Sequence, residues 1–179
     1  MNRLRNMRKS YHGRIFALGL AVVVTACLIF VHTSAAQTYR TSPIQKEAPM
    51  SHATGPFDVK LTPQDDKLDP TLARMIIDKQ FHGDLEATSK GTMLSAGTAV
   101  KGSAGYVAIE LVTGTLHSLT GTFVLQHNAT MNRGVPSLGI TVVPDSGTGQ
   151  LTGISGTMNI IIADGKHSYD FSYTLPEAP

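Results

Sequence analysis

Two histidines lie on apolar faces of predicted strands, where an imidazole can orient a ligand or transfer a proton. His127 alternates in phase with Phe123 and Leu125, and His167 shares a face with Tyr169. A polar group on a buried face must find a hydrogen-bond partner or it costs about 1–3 kcal/mol. Two roles remain open for the pair. They line a cavity as ligand-binding or acid–base groups, or they are core histidines that tyrosine hydroxyls, backbone groups or buried water satisfy. His167 is the weaker candidate, because it closely follows a predicted turn, which favours a position at the rim.

Glu110 belongs to a predicted strand that is apolar on both faces. It shares one face with Tyr106 and Ala108, while Val107 and Ile109 lie on the other. Pointing inward, Glu110 would be a buried carboxylate with a raised pKa, a common feature of working sites. Pointing outward, it would be an ordinary solvated acid, and the sequence leaves both orientations open. The candidate ligand-binding residues are His127, Glu110, His167, Tyr169 and Tyr106, and no residue is assigned a catalytic role.

Several other chemistries find no support in the sequence. Beyond residue 36 the histidines include no close pair with the spacing of metal ligands, and we expect neither a metal nor a cofactor. The Gly-x-Ser-x-Gly turn of many hydrolases is absent. Beyond Arg14 the chain has 10 basic against 13 acidic residues, a net charge of −3, and no basic cluster. Nucleic-acid binding requires neutralised phosphates, so a nucleic-acid partner is not expected.

The amino terminus has the pattern of an export signal. Five of the 15 basic residues behind the formal charge of +2 precede residue 15, with no acidic residue among them. The uncharged apolar run Ile15–Val31 follows, and Ser34 and Ala36 supply the small residues of a cleavage site. We expect a signal peptide over residues 1–36, or else an uncleaved membrane anchor formed by the apolar run, or a lipoprotein modified at Cys27. All three predict a periplasmic or extracellular protein, because the basic flank stays inside.

Residues 37–54 predict a flexible linker that precedes one folded domain. They contain Pro43 and Pro49 among scattered Ser and Thr, and they have no apolar periodicity that would repay the entropy of ordering. The domain should span residues 55–179, roughly 120 residues, an ordinary domain size. The only cysteine is Cys27, so the domain has no disulfide and depends on its core for stability.

The domain is predicted to consist of strands. Residues such as Phe57, Val59 and Leu61 alternate with polar neighbours, and Gly-rich breaks separate similar segments. Asp164 and Gly165 form the clearest two-residue hairpin turn. About eight short strands without a long helix predict an antiparallel barrel or sandwich. The predicted segments after the first are Arg74–His82, Leu85–Ser95, Tyr106–Thr113, Thr122–Met131, Leu138–Val143, Thr157–Ala163 and Lys166–Leu175.

Four blocks of the domain resemble a bacterial family of unknown function. They begin Phe81-His82-Gly83-Asp84, Gly121-Thr122-Phe123-Val124, Val142-Val143-Pro144-Asp145 and Asp164-Gly165-Lys166-His167. Together they are similar to the family catalogued as domain of unknown function 3224, over about residues 55–175. The resemblance implies a small antiparallel β-barrel of the allene oxide cyclase-like type, related in shape to lipocalin-type barrels. It implies no established activity.

Three functions follow as expectations. The first is a binding module whose barrel takes up a small apolar or amphiphilic molecule, because barrels of about eight strands can enclose one small ligand. The second is a cofactor-free isomerase or cyclase, which requires Glu110 or His127 beside an open cavity. The third is a structural or envelope-interaction protein without a ligand, which requires an exposed apolar patch.

Overall fold

The predicted alternation of apolar and polar residues becomes a set of strands in the computed structural model, which describes residues 49–65 and 69–176. Within these residues, eight antiparallel strands pair in chain order, and the first also pairs with the last, so that they close into a barrel. The predicted all-β barrel is confirmed. The strands are β1 (Ser51–Pro63), β2 (Leu72–Phe81), β3 (Leu85–Gly97), β4 (Ala104–Leu116), β5 (Leu119–Asn132), β6 (Val135–Val142), β7 (Ser155–Ala163) and β8 (Lys166–Thr174).

The barrel begins earlier than the sequence predicts. β1 starts at Ser51, where the register pairs it with Tyr173 of β8, and Ala53 is fully buried. Residues 51–54 therefore belong to the barrel, and the linker boundary at residue 54 is wrong, because pairing with β8 orders a segment that has little apolar periodicity of its own. The predicted signal or anchor over residues 1–36 and residues 37–48 of the linker lie outside the described residues. Among the described residues, no helix is long and apolar enough to cross a membrane.

The β7–β8 hairpin shows how the alternation is realised. Asp164 and Gly165 form the predicted two-residue turn with φ angles of 51° and 73°. Across it Ile162 pairs with His167, and Ile160 pairs with Tyr169. Since paired residues point to the same side of a sheet, this hairpin presents one apolar face to the barrel interior, as predicted.

One end of the barrel is filled and the other is open. A short 3₁₀-helix, Gly149–Leu151, lies in the connection between β6 and β7, where Leu151 and Ile154 are buried. They join a core in which the rings of Phe123 and Phe171 stack with centroids 5.6 Å apart. At the opposite end, inward-facing side chains remain exposed: Leu61 by 47%, Leu138 by 39% and Ile162 by 66%. This apolar rim is the mouth of the barrel.

Candidate functional site

The structure answers the question of where Glu110 points. Its side chain lies inside the barrel with an exposed fraction of 0%, on the same face of β4 as Ala108 and Val112. The other face of β4 points outward, and Val107 and Ile109 there are about half exposed. A buried carboxylate is costly unless it is paired and hydrogen-bonded, so its partners define the site.

Glu110 is held by side chains from three other strands, the two neighbours of β4 and β2 beyond β3. Lys79 of β2 donates a hydrogen bond from Nζ to Glu110 Oε2 at 2.8 Å, and Ser89 of β3 donates one from Oγ to Oε1. His127 of β5 places Nε2 3.0 Å from Oε2, a close contact that is not aligned as a hydrogen bond. All four side chains are at least nine-tenths buried. We call Lys79, Ser89, Glu110 and His127 the polar cluster.

Strand register brings the polar cluster together. Lys79 pairs with Ser89 across β2 and β3, and Ala108, two residues before Glu110, pairs with His127 across β4 and β5. Opposite Glu110 on β3 stands Gly91. A Cβ added to Gly91 would lie 2.5 Å from a backbone carbonyl oxygen of β4 and 3.0 Å from the Glu110 Cα. The residue at this position must therefore be glycine for β3 and β4 to approach as closely as they do.

The polar cluster keeps Glu110 ionised. Burial by itself raises the pKa of a carboxyl group. In Glu110 this effect is outweighed by the imidazole of His127, by the charge and hydrogen bond of Lys79, and by the hydroxyl of Ser89, so that its pKa falls to about 2. The expectation of a raised pKa for an inward Glu110 is wrong, because a buried cation lies beside it.

Lys79 is stabilised by more than its carboxylate partner. Only 8% of the residue is exposed, and Nζ lies 5.2 Å from the ring centre of Phe57 and 5.5 Å from that of Phe81. A cation at this distance from an aromatic face is attracted by the ring quadrupole. The ammonium group is thereby fixed on the inner wall of the barrel.

The polar cluster lies at the inner part of a cavity that opens at the mouth. The cavity has a volume of about 240 Å³. Its lining is mostly apolar, and each of the eight strands contributes at least one residue to it. Lys79 and His127 of the polar cluster line the cavity, whereas Glu110 stands behind them. The lining residues are Phe57, Val59, Leu61, Ile77, Lys79, Met93, Tyr106, His127, Leu138, Ile160, Ile162 and His167.

The five candidate residues separate into three groups. His127 and Glu110 belong to the polar cluster. Tyr106 and His167 line the cavity: the Tyr106 ring lies 6.4 Å from that of His127, and burial together with the charge of Glu110 raises the pKa of Tyr106. His167 is half-buried against Phe57, at 5.3 Å between ring centroids.

Tyr169 has a different environment from the other candidates. Its hydroxyl accepts a hydrogen bond from the backbone N–H of Leu85 at 2.8 Å and lies 2.9 Å from the carbonyl oxygen of His82. Tyr169 does not line the lumen cavity. Its contacts instead connect β8 to the turn between β2 and β3.

The sequence-based selection missed Lys79 and Ser89. A signal for Lys79 was present, because a period of two in the predicted strand Arg74–His82 places it on the same face as Ile77 and Phe81. A lysine between two apolar residues on one face of a predicted strand indicates either a buried cation or that the strand has been assigned the wrong register. Ser89 carries no comparable signal, since serine occurs on either face of a strand.

Three further depressions lie around the barrel. The first, of about 640 Å³, lies on β1, β7 and β8, and its lining includes Asp164, Lys166, His167, Tyr169 and Asp170. The second, of about 470 Å³, runs along β2 to β5 and includes Leu94 and Val107; the third, of about 340 Å³, lies beside it on β3 to β5. None of the three contains Lys79 or Glu110. No group of three or more His, Cys, Asp or Glu residues in the described part of the chain is placed to hold a metal ion. Among these cavities of the described residues, the lumen cavity is the one lined by a buried charged residue, Lys79.

Comparison with known families agrees with this architecture. The model of the family described as "Protein of unknown function (DUF3224)" matches residues 53–173. The chain belongs to this family. A crystal structure at 1.84 Å resolution of another DUF3224 protein, from Shewanella oneidensis MR-1, is 53% identical in sequence, with a TM-score of 0.70. The similarity covers 73% of the present chain and 100% of that one. No curated protein matches the chain.

Proposed function

We propose that this DUF3224 barrel binds a small apolar or amphiphilic molecule in its lumen. One observation carries the proposal: a cavity lined by every strand, with mostly apolar walls, leads from an open apolar mouth to buried polar groups. Binding sites for small molecules commonly combine apolar walls with a few convergent polar groups. A lumen that served only to stabilise the fold would be filled by side chains throughout, as it is at the opposite end.

The size of the cavity limits the ligand. At about 240 Å³ it lies just below the range of roughly 300–1,000 Å³ that is typical of drug-sized ligands. An apolar cavity of about 150 Å³ is already large enough to take up benzene. The lumen therefore suits a molecule between these sizes, or a longer one whose tail extends through the mouth.

Binding of the fluorescent apolar probe N-phenyl-1-naphthylamine tests the proposal. We expect saturable fluorescence enhancement with the wild-type barrel and an affinity at least about tenfold lower, or about 1.4 kcal/mol, for Ile160→Trp, which fills the lumen. Ile161→Trp is the matched control, because the neighbouring side chain points outward and is 50% exposed. Circular dichroism checks that both variants fold. Absence of saturable binding, or equal binding by both variants, would contradict lumen binding.

A cofactor-free isomerase is a second candidate, favoured by the contact between Glu110 and His127. A carboxylate 3.0 Å behind an imidazole on a cavity wall can orient that imidazole as a general base. Lys79 would then donate a hydrogen bond to a substrate carbonyl. Exchange of the α-hydrogens of a medium-chain methyl ketone for deuterium in D₂O tests this activity. It should be faster than with the His127→Gln variant, and equal rates would exclude the role of His127.

We also propose that the barrel acts outside the cytoplasm, on the basis of the basic and apolar pattern of residues 1–36. Cell fractionation of the full chain tests this, and mass spectrometry of its amino terminus distinguishes the cleaved, anchored and lipidated forms. A cytoplasmic protein with an intact amino terminus would contradict export.

A further inference from the structure

The hydrogen-bonding groups on the inner wall of the lumen are unevenly divided between donors and acceptors. A lysine ammonium has three N–H donors and no acceptor. Among the described residues, Lys79 makes one hydrogen bond, to Glu110. Nε2 of His127 is buried without an aligned hydrogen-bond partner. Lys79 lines the cavity, so its unused donors border the space in which a ligand would lie, whereas Nε2 of His127 is buried against the Glu110 carboxylate.

The acceptors of the same cluster are already engaged. Glu110 Oε1 accepts the hydroxyl of Ser89, while Oε2 accepts Lys79 and contacts His127. The residue has an exposed fraction of 0% and does not line the cavity. A ligand entering from the mouth therefore meets the donors of Lys79 and not the carboxylate behind them.

The surroundings of these donors determine which end of the ligand points into the barrel. The polar cluster is buried, whereas the mouth is formed by apolar side chains that are 39% to 66% exposed: Leu61, Leu138 and Ile162. A molecule with one polar end and one apolar end satisfies both regions only when its polar end points inward. A buried donor left without an acceptor has lost its hydrogen bonds to water without replacing them, and an inward acceptor restores one of these bonds.

We infer that the ligand of the lumen is an amphiphile whose polar end is an oxygen acceptor, a carboxylate or a carbonyl, placed against the Lys79 ammonium beside the His127 ring, with its apolar tail toward the mouth. This inference rests on the proposed binding function and specifies the ligand class. An amphiphile with an ammonium head is excluded, because its donors would face the donors of Lys79 and its charge would add to that of the lysine. A neutral alcohol, which both donates and accepts, should bind with intermediate affinity.

Displacement of N-phenyl-1-naphthylamine by amphiphiles of equal chain length tests the inference. The competitors are octanoate, the corresponding methyl ketone, octanol and octylammonium. With the wild-type barrel, we expect octanoate or the ketone to bind at least about tenfold more tightly than octylammonium, a difference of about 1.4 kcal/mol. Comparison of octanoate with the ketone decides between a charged and a neutral acceptor.

Two double variants test whether the buried ion pair is the source of the preference for octanoate over octylammonium. Lys79→Met with Glu110→Gln removes both charges of the buried pair together, so that neither charge is left alone, and it should bring the affinities for octanoate and octylammonium close to each other. The control, Lys90→Met with Asp78→Asn, removes an ion pair of 3.3 Å between β2 and β3 on the outer face, and it should leave the wild-type preference unchanged. If the first variant does not fold, the His127 imidazole resonances in the wild-type barrel provide a second measurement, since octanoate should shift them and octylammonium should not.

The outcomes separate this inference from the function on which it rests. Equal displacement by octanoate and octylammonium would overturn the acceptor inference while leaving apolar binding in the lumen intact. A preference that survives in the Lys79→Met and Glu110→Gln variant would overturn the assignment to the polar cluster. Absence of probe binding to the wild-type barrel would overturn both the ligand class and the proposed function.

Discussion

Replacement of Lys79 by methionine should destabilise the barrel strongly at neutral pH. The substitution keeps most of the apolar stem of the side chain. It removes the cation that lies 2.8 Å from the Glu110 carboxylate, whose exposed fraction is 0%. Removing one partner of a buried ion pair costs about 3–5 kcal/mol. The depressed pKa of Glu110 agrees in sign: its fall from 4.5 to about 2 corresponds to about 3 kcal/mol at 1.36 kcal/mol for each pKa unit, a contribution that Lys79 shares with His127 and Ser89.

The dependence of stability on pH provides a sharper test than the loss at one pH. Because the folded-state pKa of Glu110 is depressed, its ionised form stabilises the wild-type barrel above about pH 4.5, and this contribution is lost as pH falls toward 2. Without the charge and hydrogen bond of Lys79, only His127 and Ser89 oppose the effect of burial, and we expect the pKa of Glu110 to rise above its ordinary value. The Lys79→Met barrel should therefore become more stable between pH 7 and pH 5, where Glu110 contributes no such gain in the wild type.

Urea denaturation followed by far-ultraviolet circular dichroism at several pH values measures both effects. The exposed Lys90, 3.3 Å from Asp78 on the outer face, offers the control Lys90→Met, which should cost less than about 1 kcal/mol. Adding Glu110→Gln to Lys79→Met should recover part of the lost stability, because no charge then remains buried alone. A loss below about 1 kcal/mol for Lys79→Met at pH 7, with an unchanged pH profile, would refute this account of the polar cluster.

Three further substitutions test the strand contacts and the turn that shape the barrel around the lumen, each by urea denaturation. Gly91→Ala should cost about 1–3 kcal/mol of unfolding free energy, since the new Cβ would lie 2.5 Å from a carbonyl oxygen of β4. The control Gly97→Ala, on the same strand, meets nothing within 4 Å and should be close to neutral. Equal effects of the two substitutions would contradict the close approach of β3 and β4. Tyr169→Phe should cost about 1–3 kcal/mol because the Leu85 N–H loses its acceptor, and an unchanged stability would mean that this N–H finds another partner. Gly165→Ala should cost about 1–2 kcal/mol because its φ is +73°, and a stabilising effect would show that the turn can change type.

The barrel itself could be predicted from sequence because its signals are local. Alternation with a period of two depends only on neighbouring residues, and the Asp164-Gly165 turn determines which residues of β7 and β8 face each other. The start of β1 at Ser51 could not be predicted in this way, since pairing with the last strand orders this segment across more than a hundred intervening residues. Long-range pairing leaves no local pattern in the residues it orders.

The site was only partly predictable for the same reason. His127 was placed correctly on the interior face, because Phe123 and Leu125 alternate with it. The orientation of Glu110 remained open since both faces of β4 are apolar, and its pKa depends on Lys79, which lies 31 residues away in the chain. Whether a carboxylate is neutral or ionised inside a protein depends on which charges the fold brings within a few ångströms of it.

The sequence by itself therefore determined the strand pattern, the family and the interior position of His127, since these follow from residue order along single strands and hairpins. Only the tertiary structure decided that Glu110 faces inward, that Lys79 and Ser89 complete the polar cluster, and that the cluster lies at the inner part of an open lumen. The physical reason is that barrel closure sets the register between strands distant in the chain, and this register determines which buried charges meet.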